Sequence, residues 1–500
     1  MDSKKIQFVI IGIIATIVAL YLGISAATAQ FETIAWVIGI LVFITCLSLG
    51  HKIWLLIPFM IALDMRLMIP GNPDTRLIGQ FLVIGFCIPL FLMRKLSFRL
   101  AWGELEFWIL ILTLFVVQVY LRNPVGVNVF GGATVGGKAY SIYLICLVSG
   151  LLLGGLTVPA SELKWVFRLS IMGGLMNLVL TTFGTVVPSI GVYLGVAEVH
   201  SVRDTSSDAG NIGDASRIGY LGSLGSNLAL WISACISPLR ACLHPLWGGL
   251  VLIAVVASLM SGYRSFNMLL GMTFIVGVAY RSGLSGLNLS IFGAICGVAM
   301  LAAINLVAPL PPNIQRALTF LPGTWEDRYR RDAESSSEWR FEIWREVLTS
   351  PRWIENKWLG DGLGFKASEL AAQQNMQLGN RASISGFDVH RDAILKSGDY
   401  HSGPVQTIRT IGYVGLVFLL IALVRLAVHA HRQIQRCRNT EWFPLALLVG
   451  IPLISFPFFF VFVFGGFTTG FTSLFMGYGM VRILEKNLPL PAYVLRKRRP

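Results

Sequence analysis

Long apolar runs dominate this sequence and restrict the folds open to it. A helix rises about 1.5 Å per residue, so roughly 20 apolar residues are needed to cross the hydrocarbon core of a bilayer. Fourteen runs approach or exceed that length, and only 13% of the 500 residues are charged, against roughly 25% in soluble domains. The sequence therefore predicts an all-α polytopic membrane protein with about 14 transmembrane helices. The predicted spans are 6–28, 32–49, 52–69, 77–93, 104–121, 138–156, 164–185, 216–237, 243–260, 265–280, 286–309, 411–431, 442–463 and 465–485.

The distribution of lysine and arginine predicts which helix ends face the cytoplasm. Cytoplasmic loops of membrane proteins carry an excess of basic residues. With a cytoplasmic N-terminus, 20 Lys and Arg fall in the inner termini and turns, and seven fall in the outer turns when the longest loop is left aside. We therefore expect both termini in the cytoplasm, and an uncleaved first span. The net charge of +14 then reflects topology rather than nucleic-acid binding.

One long polar segment interrupts the apolar runs. Residues 310–409 contain 13 Lys and Arg and 13 Asp and Glu, so their formal charges cancel. A polar segment of this length cannot lie in lipid, so it must form a domain on one face of the membrane. We predict transmembrane helices 1–11 in residues 1–309, one large outward-facing helical loop domain in 310–410, and transmembrane helices 12–14 with a basic cytoplasmic tail in 411–500.

The polar segment contains a predicted helix with a distinctive face. Residues 325–348 have a helical pattern, and Ser335–Ser337 offer N-caps with an acidic residue at capping-box spacing. This predicts that a second helix begins at the serines. On that helix Arg340 and Trp344 lie one turn apart and share a face. After the helix, Gly360-Asp-Gly-Leu-Gly364 predicts a backbone turn.

Three histidines fall on the predicted outer side, namely His200, His390 and His401. Only His401 stands immediately before a span, the apolar run that begins at Ile411. A histidine in such a position is often a hydrogen-bonded interfacial residue. It is also well placed to act as a general base, because its ordinary pKa is about 6.5.

Two arginines lie at predicted outer helix ends, although basic residues are enriched at cytoplasmic helix ends. Arg264 lies in the short outer turn Ser261-Gly-Tyr-Arg-Ser265, and Arg217 begins the next outer-to-inner span upstream. One interpretation is that each guanidinium only reaches lipid phosphates at the interface. The other is that both converge with the polar loop on an anionic ligand. The residues alone leave both open.

The remaining patterns predict no cofactor and no metal ion. The seven cysteines lie in or beside apolar runs, and no Cys/His cluster has zinc spacing. Residues 131–138 are glycine-rich, but no strand precedes them and their spacing differs from that of a nucleotide-binding P-loop. Lys138 could still hold an anionic headgroup. We expect the Phe- and Gly-rich run 458–475 to face lipid.

Four segments together resemble the O-antigen ligase and polysaccharide polymerase family of bacterial inner-membrane glycosyltransferases. The segments occur in the family's order and all lie on the predicted outer side. The sequence departs from the family in having Ser402 where an asparagine commonly follows the histidine, and in the tripeptide Gly-Tyr-Arg where the family has a Ser-Arg pair. The four segments are Ser216–Asn227, Ser261–Ser265, Arg340 and Trp344 with Gly360–Gly364, and His401 with Thr407–Gly415.

The resemblance implies a metal-independent transfer of a glycan from a polyprenyl pyrophosphate carrier to a glycan or lipid acceptor hydroxyl, in a periplasmic loop domain at the inner membrane. In that interpretation His401, Arg264 and Arg340 are catalytic, and Arg217 and Trp344 bind substrate. Asp399 could orient the imidazole. Ligase and polymerase differ in the acceptor and stay open. The alternative class is a transporter or flippase of lipid-linked sugars, which would use charges inside the spans.

Overall fold

The computed structural model describes residues 16, 21, 31–67, 73–125, 136–187, 191, 194, 218–319, 321, 323–364, 394, 395, 398 and 400–489. These residues form α-helices, one 3-10 helix at Gly50–Leu55 and isolated bridges, with no strand among them. The protein is therefore all-α over the part described. The helices are α1 Phe31–Leu49, α2 Leu56–Leu63, α3 Thr75–Leu92, α4 Glu104–Arg122, α5 Lys138–Gly155, α6 Ala160–Val186, α7 Gly219–Cys235, α8 Pro238–Cys242, α9 Pro245–Met260, α10 Arg264–Val307, α11 Pro312–Leu318, α12 Asp327–Thr349, α13 Gly403–Cys437, α14 Phe443–Phe462 and α15 Phe467–Asn487.

Eight helices of the described part are long and apolar enough to cross a membrane, which supports a membrane protein. The predicted number of 14 is not confirmed over the described residues. Helices α7 and α9 have 17 and 16 residues, and most of the first predicted span lies outside the described residues. The predicted third span, 52–69, does not form as one helix. Its α-helical part is α2, whose eight residues extend only about 12 Å.

Helix α10 is one of the eight, yet it cannot be a single straight rod. Its 44 residues would extend about 66 Å. However, the Asn313 side-chain amide donates to the Met260 carbonyl at 3.0 Å, and these residues lie just outside the two ends of α10. The short connecting segments can span roughly 3.5 Å per residue, too little to bridge that length. The chain therefore reverses inside α10, at Gly283, whose φ of 69° and ψ of −164° break the helix.

The chain divides into two compact units, residues 1–54 with 85–96, and residues 55–84 with 97–500. In the first unit, described apolar side chains such as Phe43, Leu47 and Phe91 are exposed, as lipid-facing residues would be. The rings of Phe43 and Phe86 lie 5.6 Å apart. The second unit contains every described residue of the predicted site.

Helix α13 is central to the second unit, where it packs against α4, α14 and α15. A second group is formed by α7, α9 and α10. Close approach of α5 and α15 depends on Gly150, because a Cβ there would lie 2.5 Å from the Phe475 carbonyl oxygen. Small residues at helix interfaces are typical of membrane proteins, where dispersion contacts replace the hydrophobic effect between helices.

Helix α12 runs unbroken through residues 335–337, so the prediction of a second helix starting at Ser335–Ser337 is wrong. Tyr329, Ile343 and Val347 are all buried, and their spacing of 14 and four residues puts them on one stripe of a single helix. Because residues of this stripe are buried both before and after the serines, one continuous helix is favoured over a new helix start at the serines. The helix ends at Thr349, two residues before Pro351.

A buried ionic network joins α4, α13 and α15. Glu106 is 3% exposed, and both its oxygens accept from Arg482, at 2.8 and 2.6 Å. Tyr478 donates to the same carboxylate at 2.8 Å. Arg482 also donates to Glu485 at 2.7 Å, which is hydrogen-bonded to His429 at 2.9 Å. The charges are thus mutually satisfied, as buried ions require.

Candidate functional site

His401 lies at the start of α13, where the chain turns from the polar segment into the helix. Its φ of 51° is in the left-handed region, which is uncommon for a residue with a side chain. The next residue, Ser402, is the N-cap, and its hydroxyl accepts from the Val405 amide at 3.4 Å. The residue before, Tyr400, is 1% exposed within an apolar cluster. His401, itself half-buried, is therefore held between a buried anchor and a helix cap.

Burial of Tyr400 raises the pKa of its phenol, although nearby Arg409 acts in the opposite direction. The hydroxyl is therefore neutral at physiological pH. Tyr400 packs with Ile343, Val347 and Val405, which belong to α12 and α13. This cluster joins α12 to the first turn of α13, beside His401.

Trp344 holds the backbone next to His401. Its indole N–H donates to the Tyr400 carbonyl oxygen at 2.8 Å. The predicted substrate-binding residue thus has a protein partner for its only donor, while its ring stays partly exposed. Arg340 is half-buried one turn earlier on the same face of α12. Residues four apart on a helix are neighbours, about 6 Å apart, so the structure brings Arg340 into the vicinity of the His401 segment.

Two residues on the other side of His401 also fix its position. The Phe464 ring stacks on the imidazole, with centroids 5.7 Å apart and planes 27° from parallel. The Gln406 side chain donates to the Gly398 carbonyl at 3.1 Å and accepts from the Phe467 amide at 2.9 Å. It therefore ties the segment before His401 to the start of α15.

The prediction that residues 458–475 face lipid is wrong for half of the eight phenylalanines in the run. Phe460, Phe467, Phe471 and Phe475 are buried, whereas Phe458 and Phe462 are exposed. The run supplies interior packing and, through Phe464, a wall of the candidate site. Periodicity could not reveal this in α14, which is apolar on all faces, whereas in α15 the buried phenylalanines recur every four residues.

The predicted turn Gly360–Gly364 docks onto a break in α13. At Gly412 the backbone has φ 75° and ψ 177°, and α13 is non-helical at that residue. The amides of Asp361 and Gly362 donate to the carbonyls of Arg409 and Thr410, at 2.7 and 3.1 Å. In return, the amides of Tyr413 and Val414 donate to the carbonyls of Lys357 and Trp358, at 2.8 and 3.3 Å. The turn therefore satisfies backbone groups that the break exposes.

Residues from α4 and α5 clamp the same turn. Arg122 donates to the Gly360 carbonyl at 2.5 Å, and Asn123 donates to the Asp361 carbonyl at 2.9 Å. The Tyr140 hydroxyl accepts from the Leu363 amide at 3.0 Å. The turn is thus bonded to the ends of α4 and α5 as well as to α13.

Arg409 is a buried cation that the sequence analysis did not single out. It is 7% exposed, and a Cβ on Gly398 would lie 2.5 Å from its guanidinium. Its charge acts on both Tyr140 and Tyr400. The available signal was its place two residues before the apolar run at Ile411, where a charge has to be buried in protein.

The Arg264 turn is a second group on this side of the bundle. Ser261 is buried, and its carbonyl accepts from the Ile218 amide at 2.9 Å. Gly262 has φ 70°, and half-buried Arg264 begins α10. Arg217, together with Asp399, lies outside the described residues. The bond from Ile218 nevertheless brings the start of the preceding segment to the Arg264 turn.

Short helix α11 connects the two groups. It packs against α9, which ends just before the Arg264 turn, and against α12, which carries Arg340. Gln315 in α11 donates to Glu326 at 3.1 Å, at the start of α12. Arg316 is buried in the same helix. The arginine-bearing elements therefore lie on one side of the bundle.

A polar cavity of about 340 Å³ lies at the N-terminal end of α5. Its charged lining comprises Arg66, Arg76, Lys138, Asp64 and Asp74. Arg76 lies 3.3 Å from Asp64 and 3.7 Å from Asp74, so much of the positive charge is balanced within the protein. The positive charge that remains for an anion in this cavity, including the charge of Lys138, is therefore small.

Comparison of the chain with protein-family models found no match, and comparison with curated proteins found no matching relative. Within the described ranges, no group of three or more His, Cys, Asp or Glu side chains is arranged to hold a metal ion.

Proposed function

We propose that this protein is a metal-independent glycosyltransferase of the bacterial inner membrane, similar to the O-antigen ligases and polysaccharide polymerases. It would move a glycan from a polyprenyl pyrophosphate carrier to a glycan or lipid acceptor hydroxyl at the periplasmic face, with both termini in the cytoplasm. One contact supports this most directly. The bond from Trp344 to the Tyr400 carbonyl places the predicted base His401 beside the helix that carries Arg340.

His401 is the proposed general base. The acceptor oxygen attacks the anomeric carbon, His401 takes the hydroxyl proton, and the bond from that carbon to the pyrophosphate oxygen breaks. Both bonding electrons leave with the polyprenyl pyrophosphate. Inversion of the anomeric centre follows from the family resemblance. The Phe464 stack and the Ser402 cap support the assignment, because they restrict the position of the imidazole at the N-terminal end of α13.

The arginines would stabilise the charge that develops on the leaving pyrophosphate. A guanidinium presents a planar fork of donors that matches phosphate oxygens, which a lysine ammonium cannot reproduce. Arg340 and Arg264 are assigned this role, with Arg217 and the Trp344 ring as substrate-binding residues. Removing one such donor typically lowers the rate by roughly 10²–10³-fold.

The departure from the family at Ser402 is compatible with this assignment. Ser402 acts as the N-cap of α13. Asparagine and serine are about equally favoured at N-caps, because each side chain offers an oxygen to an amide in the first turn. A serine in this position therefore preserves the local structure that an asparagine would give.

A transporter or flippase of lipid-linked sugars is the second candidate. The broken helix α13 and the buried Glu106–Arg482 network are features that transporters also have. Two observations favour transfer over transport. The break at Gly412 is filled by the Gly360–Gly364 turn, and the Glu106 network is closed by its own hydrogen bonds.

The test compares the glycolipids of a deletion strain that carries the parent gene, His401→Ala or His390→Ala. We expect His401→Ala to lose transfer by about 10²–10⁴-fold, the usual contribution of a general base, while the bound donor is retained. The His390 variant should behave as the parent. Accumulated lipid-linked polymer identifies a ligase, and accumulated single repeat units identify a polymerase. Donor confined to the cytoplasmic leaflet would establish the flippase instead.

A further inference from the structure

A cavity of about 540 Å³ opens at the end of the helix bundle opposite to the Arg264 turn. Three segments form it, at residues 235–240, 280–281 and 438–444, and the sequence predicts each of them at the cytoplasmic side. Its volume is within the range of small-ligand sites, about 300–1,000 Å³. We refer to it as the three-arginine cavity. Its lining is Cys235, Ile236, Ser237, Arg240, Tyr280, Arg281, Arg438, Asn439, Thr440, Phe443 and Pro444.

The charge of the three-arginine cavity is entirely positive. Arg240, Arg281 and Arg438 come from three different parts of the chain, and no Asp or Glu occurs among the lining residues. This contrasts with the 340 Å³ cavity, whose cations face Asp64 and Asp74. Three guanidiniums around one volume repel each other, so an anion between them lowers the electrostatic energy.

Arg281 provides a fixed wall of the cavity. Its Nε donates to the Ser233 carbonyl at 2.8 Å, and Nη2 donates to the Ala234 carbonyl. The guanidinium also lies 5.2 Å from the centre of the Phe443 ring. Arg240 and Arg438 are exposed, so their side chains can adjust to a ligand. The site thus combines one positioned cation with two that can close on a bound group.

The other lining groups suit a phosphate at a membrane surface. Ser237 and Thr440 add hydroxyls, and the helix α14 begins at Phe443 with its positive dipole end at the cavity. Ile236, Phe443 and Pro444 add apolar surface next to spans. Basic pockets between transmembrane helices on the cytoplasmic side are typical sites for anionic lipid headgroups.

We propose that the three-arginine cavity binds a phosphate group, either in the headgroup of an anionic phospholipid or in a soluble phosphate ester. Guanidinium forks bind phosphate oxygens in pairs, and Arg240 and Arg438 offer such forks, while Arg281 adds its charge although two of its N–H groups are bonded to carbonyls. The inference is independent of the proposed transfer reaction, which takes place at the other end of the bundle.

The experiment measures binding to the purified full-length protein in detergent, with short-chain phosphatidylglycerol, short-chain phosphatidylcholine and glycerol phosphate as separate probes. The variant is Arg240→Gln with Arg438→Gln. Both side chains are exposed, so folding should be retained. The matched control is Arg432→Gln, which removes an exposed arginine of α13 that does not line the cavity.

We expect saturable binding of phosphatidylglycerol that the double variant weakens by about tenfold per arginine, since a hydrogen bond to a charged group contributes about that factor. Arg432→Gln should bind as the parent does. Binding of phosphatidylglycerol without glycerol phosphate identifies a lipid site, and equal binding of glycerol phosphate identifies a soluble ligand. Equal affinity of the parent and the double variant, or no saturable binding of any probe, overturns the proposal.

Discussion

The substitution Gly412→Ala tests whether the Gly360–Gly364 turn is docked into the break of α13. At Gly412 the φ of 75° and ψ of 177° belong to a region that only glycine adopts readily. A Cβ there would overlap the Trp358 carbonyl oxygen and lie 2.5 Å from the Leu359 amide nitrogen. The alanine therefore has to change the backbone at 412 and push the 357–362 segment away.

The expected cost follows from two contributions. A non-glycine residue in such a backbone region costs about 1–3 kcal/mol. Separating the segments also removes the bonds from Tyr413 to Lys357 and from Val414 to Trp358, each worth about 1 kcal/mol net. We expect local opening to become easier by about 3 kcal/mol, which corresponds to roughly 100-fold faster exchange of the amides involved.

Hydrogen exchange measured by mass spectrometry resolves this effect. Peptides that cover 357–362 and 409–414 should be protected in the parent and should exchange much faster in Gly412→Ala. The control is Gly271→Ala in α10, where a Cβ would meet no atom within 4 Å, so protection should be unchanged. Parent-like protection of both peptides in Gly412→Ala would show that the turn is not docked as described.

Three further predictions concern transfer, topology and stability. Arg340→Lys should recover little of the transfer lost in Arg340→Ala, because an ammonium cannot replace the fork; full recovery would assign the side chain to the lipid interface. In a cysteine-free background, Glu342→Cys should react with a membrane-impermeant thiol reagent in intact cells, whereas Arg432→Cys should react only after lysis. The reverse labelling pattern would show that the topology is inverted. Glu106→Gln should destabilise the protein in thermal unfolding by about 3 kcal/mol, since it breaks a buried ion pair. Glu104→Gln, at a half-exposed pair, should cost less than about 1 kcal/mol.

The sequence predicts the class of the fold well because apolar length is a strong constraint. Helices α3, α4, α5 and α6 lie close to the predicted spans. The departures have local causes. Residues 50–63 form a 3-10 helix and a short α-helix, although their hydropathy is that of a span. The serines 335–337 carry a capping signal, but buried residues on both sides of them keep α12 continuous.

The site is less accessible to sequence reasoning because its contacts join distant parts of the chain. The Arg340 and Trp344 face and the Gly360–Gly364 turn could be predicted from local spacing. The partner of Trp344 could not, because the Tyr400 carbonyl is a backbone group 56 residues away. The same holds for Phe464, whose run looks uniformly apolar, and for Arg409, whose burial depends on Gly398.

The geometry also separates the proposed catalytic groups into a rigid part and an adjustable part. Arg340 and Trp344 belong to one helix, and Trp344 is bonded directly to the residue before His401. One helix turn and one hydrogen bond therefore link the backbone of Arg340 to the residue before His401. Arg264 begins a different helix, α10, and within the described part of the chain α11 packs against both α10 and α12. In the proposed reaction, a carrier with a long lipid tail has to enter between helices before its pyrophosphate is bound. If Arg264 moved onto the pyrophosphate after entry, the site would be open to the carrier first and would hold its pyrophosphate afterwards. Arg340 and His401 would keep their mutual geometry throughout.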